Sequence, residues 1–332
     1  MSRVSVLCQT ETSLAGGLTG AIYMASLANE IIRRGISVHI DSDFLDAYGS
    51  AWITDYCASC GVQMVSGAGH EHEVVVRNFA PGNWPARQAQ GIHVDLAFGE
   101  ADSSGEADYV LSLLETPPSG AFAWGGAVTP LPPELRALGR NSITGKVGVC
   151  LDLDPTGRLI SLVAALTGGA ITSAEGISLR ADLTGTNVLH SPKFWERYAT
   201  CELVVASGAG PALVAGAMGI PVLTVANSAL QHTRLLEGIA AGRRYYNHLG
   251  LLTGLADNWI RDRVRDILDA DPLTGSLNKT LAWTRMAAMH ASGLHDVTTS
   301  GSYRVAEWIQ QRFILGRPAR PEPTPIYVDR LP

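Results

Sequence analysis

Cys201 to Val225 reads CELVVASGAGPALVAGAMGIPVLTV, and the rest of the chain can be organised outward from this stretch. Cys201 to Ala206 is short, apolar and β-branched, the pattern of a buried strand. It runs into Ser207-Gly208-Ala209-Gly210-Pro211, where glycines permit a tight turn and Pro211 suits the opening of a helix, whose first N–H groups lack internal partners. An alanine-rich helix follows, and Pro221 to Val225 returns to strand character. Strand, helix and strand in that order make a parallel unit. The turn aims unpaired backbone N–H groups and the positive end of a helix at one point, which is chemistry for an anion.

The first half uses the same grammar. Arg3 to Cys8 reads as a strand, Leu14 to Gly20 (LAGGLTG) as a glycine-bearing loop, and Ala21 to Arg34 as a helix. In that helix Ile22, Ala25, Leu27, Ala28, Ile31 and Ile32 fall at helical spacing, and Gly35 can take the C-terminal cap. Strands are expected at Ser37 to Ser42 and near Val62 to Val65, Glu73 to Arg77, His93 to Phe98 and Tyr109 to Leu114. Thr116 to Pro133 is too rich in Pro and Gly for a central strand or a helix interior. Beyond it, Lys146 to Leu153 restarts strand character, followed by a turn at Pro155-Thr156-Gly157 and a helix from Arg158 to Leu166. A strand at Asn187 to His190 and a helix around Phe194 to Ala199 complete the approach to Cys201. After Trp259 the chain becomes helical and charged, and Tyr303 to Phe313 is amphipathic.

The expected architecture is therefore α/β, with a Rossmann-like domain over 1–140 and a second over 141–316 that carries the closing helices. A Pro-rich tail occupies 317–332. The length of 332 residues fits two such units, and 46% hydrophobic against 17% charged residues is the balance of a folded chain, not a disordered one. A net charge of -6 leaves no basic field for a nucleic-acid polymer. No apolar run reaches about 18 residues and the start is not that of a leader, so no membrane is expected and the address is cytoplasmic. Five cysteines are too few for a disulfide framework, and Cys57-x-x-Cys60 lacks the second pair of a metal site. Gly16, Gly17 and Gly20 have the wrong spacing for the dinucleotide fingerprint, although Asp41 does end the next strand, which disfavours a dehydrogenase.

Cys201 to Val225 resembles the nucleotide-sugar-binding segment of GT-B glycosyltransferases, above all the ADP-heptose (lipopolysaccharide heptosyltransferase-like) glycosyltransferase family. There a strand leads to S-x-x-G-P, an alanine-rich helix and G-x-P, and Ser207, Gly210, Pro211, Ala215, Ala217, Gly219 and Pro221 match. Gly16 to Gly35 is more weakly similar to the first loop and helix of that family and of peptidoglycan N-acetylglucosaminyltransferase-like proteins. The resemblance implies the GT-B fold: two Rossmann-like domains facing across a cleft, acceptor on the N-terminal one, donor diphosphate on the C-terminal one, no obligatory metal. The chain departs from the pattern at Ala21, where heptosyltransferases place an acidic base and other relatives a histidine. It departs again at Gly208 and Leu213, which replace acidic or histidine positions of the second motif.

With no proton acceptor at position 21, an inverting reaction needs a base elsewhere, whereas a retaining front-face reaction does not. Candidates are Glu11 after the first strand, His70 and His72 in GAGHEHE, and Glu100 and Asp102, all expected at strand ends. Glu11 is preferred. Donor binding is expected at Ser207, Gly208, Ala209, Gly210 and Pro211, and at Asn227, Gln231, His232 and Arg234, with Lys193 and Arg197 as alternative phosphate partners. The acceptor side would use Gly17, Thr19, Gly20, Asn78 and Trp84, the last in the aromatic loop Arg77 to Pro85. Each of these also has a plain reading as a solvated loop or helix-start residue. The expected partners are a nucleotide-sugar donor and a soluble small-molecule hydroxyl acceptor, such as an antibiotic, nucleoside or other specialised metabolite, with no cofactor and no metal. A nucleotide-sugar hydrolase or epimerase, or a non-catalytic nucleotide-sugar binder, would share the architecture.

Overall fold

The structure, a computed structural model, describes residues 4–12, 19–66, 72–88, 90–97, 103–112, 122–123, 129–132, 134–138, 147–151, 176–178, 195–199, 203–240, 244–256, 258–259, 288–289, 291, 293 and 301–316. Strands β1 (Ser5–Thr10), β2 (Ser37–Asp41), β3 (Gln63–Val65), β4 (Val74–Asn78), β5 (Ile92–Ala97), β6 (Tyr109–Ser112) and β7 (Phe122–Ala123) form one sheet in the order β3-β2-β1-β4-β5-β6-β7. Every neighbouring pair is parallel. Among the described residues, the Pro- and Gly-rich stretch contributes to the sheet only the two residues of β7, at the outer edge, where few ladder bonds are required. Helix α1 (Thr19–Arg33) and helix α2 (Ala47–Ala58) follow β1 and β2. The second of these was not anticipated, and its weakly patterned sequence AYGSAWITDYCA explains why.

A second parallel sheet holds β8 (Val147–Leu151), β9 (Gly176–Ser178), β10 (Leu203–Ser207), β11 (Val222–Ala226) and β12 (Tyr246–Leu251) in the order β12-β11-β10-β8-β9. Short helices α3 (Leu135–Leu138) and α4 (Trp195–Tyr198) precede α5 (Ala209–Ala217) and α6 (Ala229–Ala240). The expected helix at 158–166, strand at 187–190 and tail at 317–332 lie outside the described residues.

Each sheet reverses its direction of growth once. In the first the chain leaves β1 toward β2 and β3, then returns to the other side of β1 for β4; in the second the reversal separates β8 from β10. Crevices at such switch points, at the carboxyl ends of the strands, are where open α/β sheets hold ligands. The described part of α1 is buried nearly all round, with Ala21, Ile22, Tyr23, Met24, Ala25, Leu27 and Ala28 at 0% exposure, so it packs beyond its own sheet. It lies against α5 of the second unit and α7 (Gly301–Ile309) near the C-terminus, and one continuous apolar core includes residues of both sheets. Trp195 of α4 meets Tyr56 of α2 edge-on at 5.7 Å, and Tyr56 stacks on Trp52.

Helix α7 and the π turn Gln310–Ile314 that continues it were expected with the second unit, yet their described contacts run to the first. Ser302 Oγ donates to the Leu131 carbonyl at 3.0 Å, Arg34 donates to Gln310 Oε1 at 3.0 Å, and Arg312 donates to the Tyr109 hydroxyl at 3.1 Å. A side chain at Gly301 would collide with the Thr129 backbone, so the close approach of α7 requires glycine there.

Candidate functional site

The first switch point is filled by the start of α1. Gly20 sits so close that a Cβ would overlap Thr10 Oγ1 at the end of β1 and come to 2.8 Å from Asn78 Oδ1 at the end of β4. Asn78 is held in turn by donating to the Leu96 carbonyl at 2.6 Å. Sequence reasoning assigned Gly20 and Asn78 to the acceptor side; the structure places them together at this crevice.

At the second switch point β10 ends in Ser207, fully buried, and Gly208 turns the chain with φ 84°, a left-handed conformation that only glycine adopts readily. Helix α5 then opens through Ala209, Gly210 and Pro211. Pro211 lacks an N–H, and the Gly210 N–H donates to Thr19 Oγ1 at 3.0 Å. One of the amides expected to grip an anion is therefore occupied by the first residue of α1. The backbones interlock here, since a Cβ on Gly210 would lie 2.8 Å from Thr19 Cα. Two helix N-termini, each carrying roughly half a positive charge, thus meet where the two switch points face one another. Like partial charges brought together in a buried place favour an anion between or beside them.

Beyond β11, the adjoining strand of the second sheet, the chain carries a further set of donors. Ser228 Oγ accepts the Gln231 N–H at 3.2 Å, while Gln231 Oε1 accepts the Asn227 N–H at 2.9 Å. This reciprocal arrangement is a variant of the capping box, written in the sequence as Ser228-x-x-Gln231 and overlooked there. It orients Gln231 so that Nε2, on a residue only 4% exposed, has no hydrogen-bond acceptor among the described residues, and the Asn227 amide nitrogen is buried without one among them as well. Two amide donors lacking acceptors beside a helix end are an incomplete site, because such groups are costly to bury unpaired. His232, in the first turn of α6, reaches His248 of β12 with its Nδ1 at 2.8 Å from His248 Nε2. Arg234 stands two residues further along the same helix, half-buried.

On the first unit, Glu11 closes the loop after β4. Its two carboxylate oxygens accept the Ala80 N–H at 2.7 Å and the Asn83 amide at 2.9 Å. The loop so fixed presents Phe79 and Trp84 with ring centres 5.5 Å apart, and Phe44 meets Phe79 edge-on at 5.2 Å. Beneath it the fully buried Arg77 donates to Asp95 at 2.8 Å and to Ser104 at 2.7 Å, and lies 5.4 Å from the Trp84 ring centre. Phe44 and Trp84 are half-buried, which leaves part of this aromatic surface open.

His72 requires a correction. It precedes β4 and its Nδ1 lies 3.2 Å from Ser5 Oγ at the start of β1, so it stands at the amino ends of the strands. Six residues of β1 separate that end from Glu11, roughly 20 Å at 3.3 Å per residue. His72 therefore does not share a site with the switch-point residues. His70, Glu100, Asp102, Gly17 and Lys193 lie outside the described residues, and Arg197 falls in α4 with its side chain undescribed. Among the described residues no three His, Cys, Asp or Glu side chains gather as metal ligands, and no helix is long and apolar enough to cross a membrane.

Two parallel sheets with facing switch points, and a terminal helix returning to the first unit, define the architecture. The chain resembles the UDP-GlcNAc 2-epimerase from Neisseria meningitidis bound to UDP-GlcNAc, with TM-score 0.55 and 10% identity over 92% of this chain and 99% of that one. It resembles the spinosyn rhamnosyltransferase SpnG complexed with thymidine diphosphate, with TM-score 0.51 and 14% identity over 92% and 100%. The chain has the GT-B fold. A third GT-B structure, the spinosyn forosaminyltransferase SpnP, matches at TM-score 0.55 and 13% identity over 92% and 99%. No protein-family profile and no curated sequence matches the chain.

Proposed function

We propose that this GT-B protein moves a sugar from a nucleotide-sugar donor to a hydroxyl of a soluble small molecule. The observation that carries the reading is the pair of amide donors that lack acceptors among the described residues, Asn227 Nδ2 and Gln231 Nε2, beyond β11 on the sheet whose β10 leads into α5. A diphosphate against Ser207, Gly208 and Ala209, with its sugar extending to Asn227, Gln231, His232 and Arg234, would supply acceptor oxygens to the two amides. The likeness of Cys201 to Val225 to the ADP-heptose glycosyltransferases supports the same assignment of the donor to the second unit.

The acceptor is assigned to the aromatic loop at the carboxyl end of the first sheet, where Phe44 and Trp84 offer a half-open apolar surface held by Glu11 and Arg77. That surface is the feature that favours transfer over epimerisation, since an epimerase acts on the donor alone. Release of nucleoside diphosphate from UDP- and dTDP-sugars should depend on an added hydroxylic aromatic or polycyclic acceptor. Conversion of UDP-GlcNAc to its 2-epimer without acceptor, followed by proton NMR, would replace this reading with the epimerase one.

A further inference from the structure

Ala21 leaves the expected base position empty of proton-accepting chemistry, and the second unit contains a hydrogen-bonded chain that ends in an available imidazole nitrogen. Thr224 in β11 and His248 in β12 are register partners. His248 Nδ1 lies 3.2 Å from the Thr224 carbonyl and 3.0 Å from its hydroxyl, and His248 Nε2 lies 2.8 Å from His232 Nδ1. Thr224 is fully buried, and both imidazoles are half-buried.

The chemistry of the partners orders the protons along this chain. A backbone carbonyl can only accept, so His248 carries its proton on Nδ1. Burial, the largest influence, and His232 both push the His248 pKa down, which keeps it neutral and leaves Nε2 with a lone pair. His232 must then donate from Nδ1, and its own lone pair stands on Nε2, for which the described residues provide no partner. No carboxylate is among the influences on His248, so the relay is built from two neutral rings and a peptide carbonyl.

We infer that His232 is the general base of the transfer reaction, with His248 and Thr224 as positioning residues that fix its tautomer and direction. This rests on the nucleotide-sugar reading above. His232 Nε2 takes the proton of the attacking hydroxyl as its oxygen bonds to the anomeric carbon. The bond from that carbon to the phosphate oxygen breaks, and its electron pair leaves with the nucleoside diphosphate. The imidazolium formed keeps its Nδ1–H on His248 Nε2, so no group has to turn during the step. The unsatisfied amides of Asn227 and Gln231, the latter adjacent in sequence, would hold the donor beside it.

Two measurements test the inference on the full chain. Long-range proton–nitrogen NMR at pH 8 should show both His232 and His248 as Nδ1–H tautomers, the less common form in water; His232 as Nε2–H would overturn the relay. In turnover of UDP- or dTDP-sugars, His232→Gln should lower kcat by about 100-fold or more, erase the acidic limb of the pH–rate profile, and bind UDP or dTDP within about threefold of wild type. His248→Phe should lower kcat about tenfold with KM unchanged and move His232 to the Nε2–H tautomer, whereas His248→Gln, whose amide oxygen can accept from Nδ1, should restore most of the loss. Wild-type turnover with an undiminished His232→Gln protein sinks this inference alone. Absence of turnover on every nucleotide-sugar sinks the functional reading and the base with it.

Discussion

Gly210→Ala tests the interlock of the two units directly. The added methyl would stand 2.8 Å from Thr19 Cα, 2.9 Å from Thr19 Oγ1 and 3.2 Å from Thr19 Cβ. Because the nearest of these is backbone, no rotamer change relieves it, and α5 must back away by about 0.6 Å to reach ordinary contact at 3.4 Å. Overpacking of this kind costs about 1–3 kcal/mol, and stretching the Gly210 to Thr19 hydrogen bond adds about 1 kcal/mol. The better helix propensity of alanine returns about 1 kcal/mol, so the net is about 1–3 kcal/mol. For a chain of 332 residues the unfolding entropy is about 0.7 kcal/mol/K, and Tm should fall by about 1–4 °C in a calorimetric scan. Gly254→Ala is the control: nothing lies within 4 Å of its Cβ, and its Tm should match wild type. A Gly210→Ala protein melting together with that control would refute the interlock.

Three further outcomes follow from individual contacts. Arg77→Met leaves Asp95, fully buried, without its guanidinium and should cost about 3–5 kcal/mol in urea unfolding; Arg77→Met with Asp95→Leu should cost less, and a double variant as weak as or weaker than the single would contradict the ion-pair account. Glu11→Ala removes both acceptors for Ala80 and Asn83, so hydrogen exchange at the Ala80 amide should accelerate at least tenfold while strand β4 stays protected; unchanged exchange would show that Glu11 does not hold the loop. Stability should decline as pH falls through the histidine range. His248 is lowered from the ordinary 6.5 by burial and His232, and His93 by burial, Arg77 and Arg87. Below 6.5 the unfolded chain binds protons that the native rings do not yet take, so unfolding becomes easier from about pH 7 down to the native values. His93→Gln should flatten that decline in thermal scans, and an unaltered slope would assign it to other groups.

Much of the fold was legible because it is written in local patterns. β1, β2, β4, β5, β10 and β11 are short β-branched runs, and the glycine turns before α1 and α5 announce both strand-to-helix joints. The helix beginning at α1 was read from one apolar stripe, but Tyr23 and Met24 off that stripe are also fully buried. A helix apolar on every side is covered on every side, and the run AIYMASLA already carried that information. The placement of Gly301–Ile314 was not readable, since Arg34 to Gln310 and Arg312 to Tyr109 are contacts across most of the chain. Their residues look like an ordinary amphipathic surface until the partner helix is known.

The site divides along the same line. Glycines and Pro211 betray the helix end at the second switch point, but nothing near them in sequence says that Thr19, 191 positions earlier, takes the Gly210 amide. His232 was visible as a polar helix-start residue, whereas its partner His248 becomes its partner only because β12 pairs with β11. Just beyond the Thr224 and His248 pair the register shifts by one residue, with Leu249 the extra residue on β12 and Gly250 at φ 122° taking the place opposite Val225. A signal for the His232 relay therefore exists in the chain, as two histidines 16 residues apart, but its meaning comes from strand register. By the same reasoning the preferred base of the sequence reading, Glu11, changes character once the loop is seen. A carboxylate whose two oxygens already accept from Ala80 and Asn83 must surrender a loop contact before it can take a proton, whereas His232 Nε2 has no described contact to surrender.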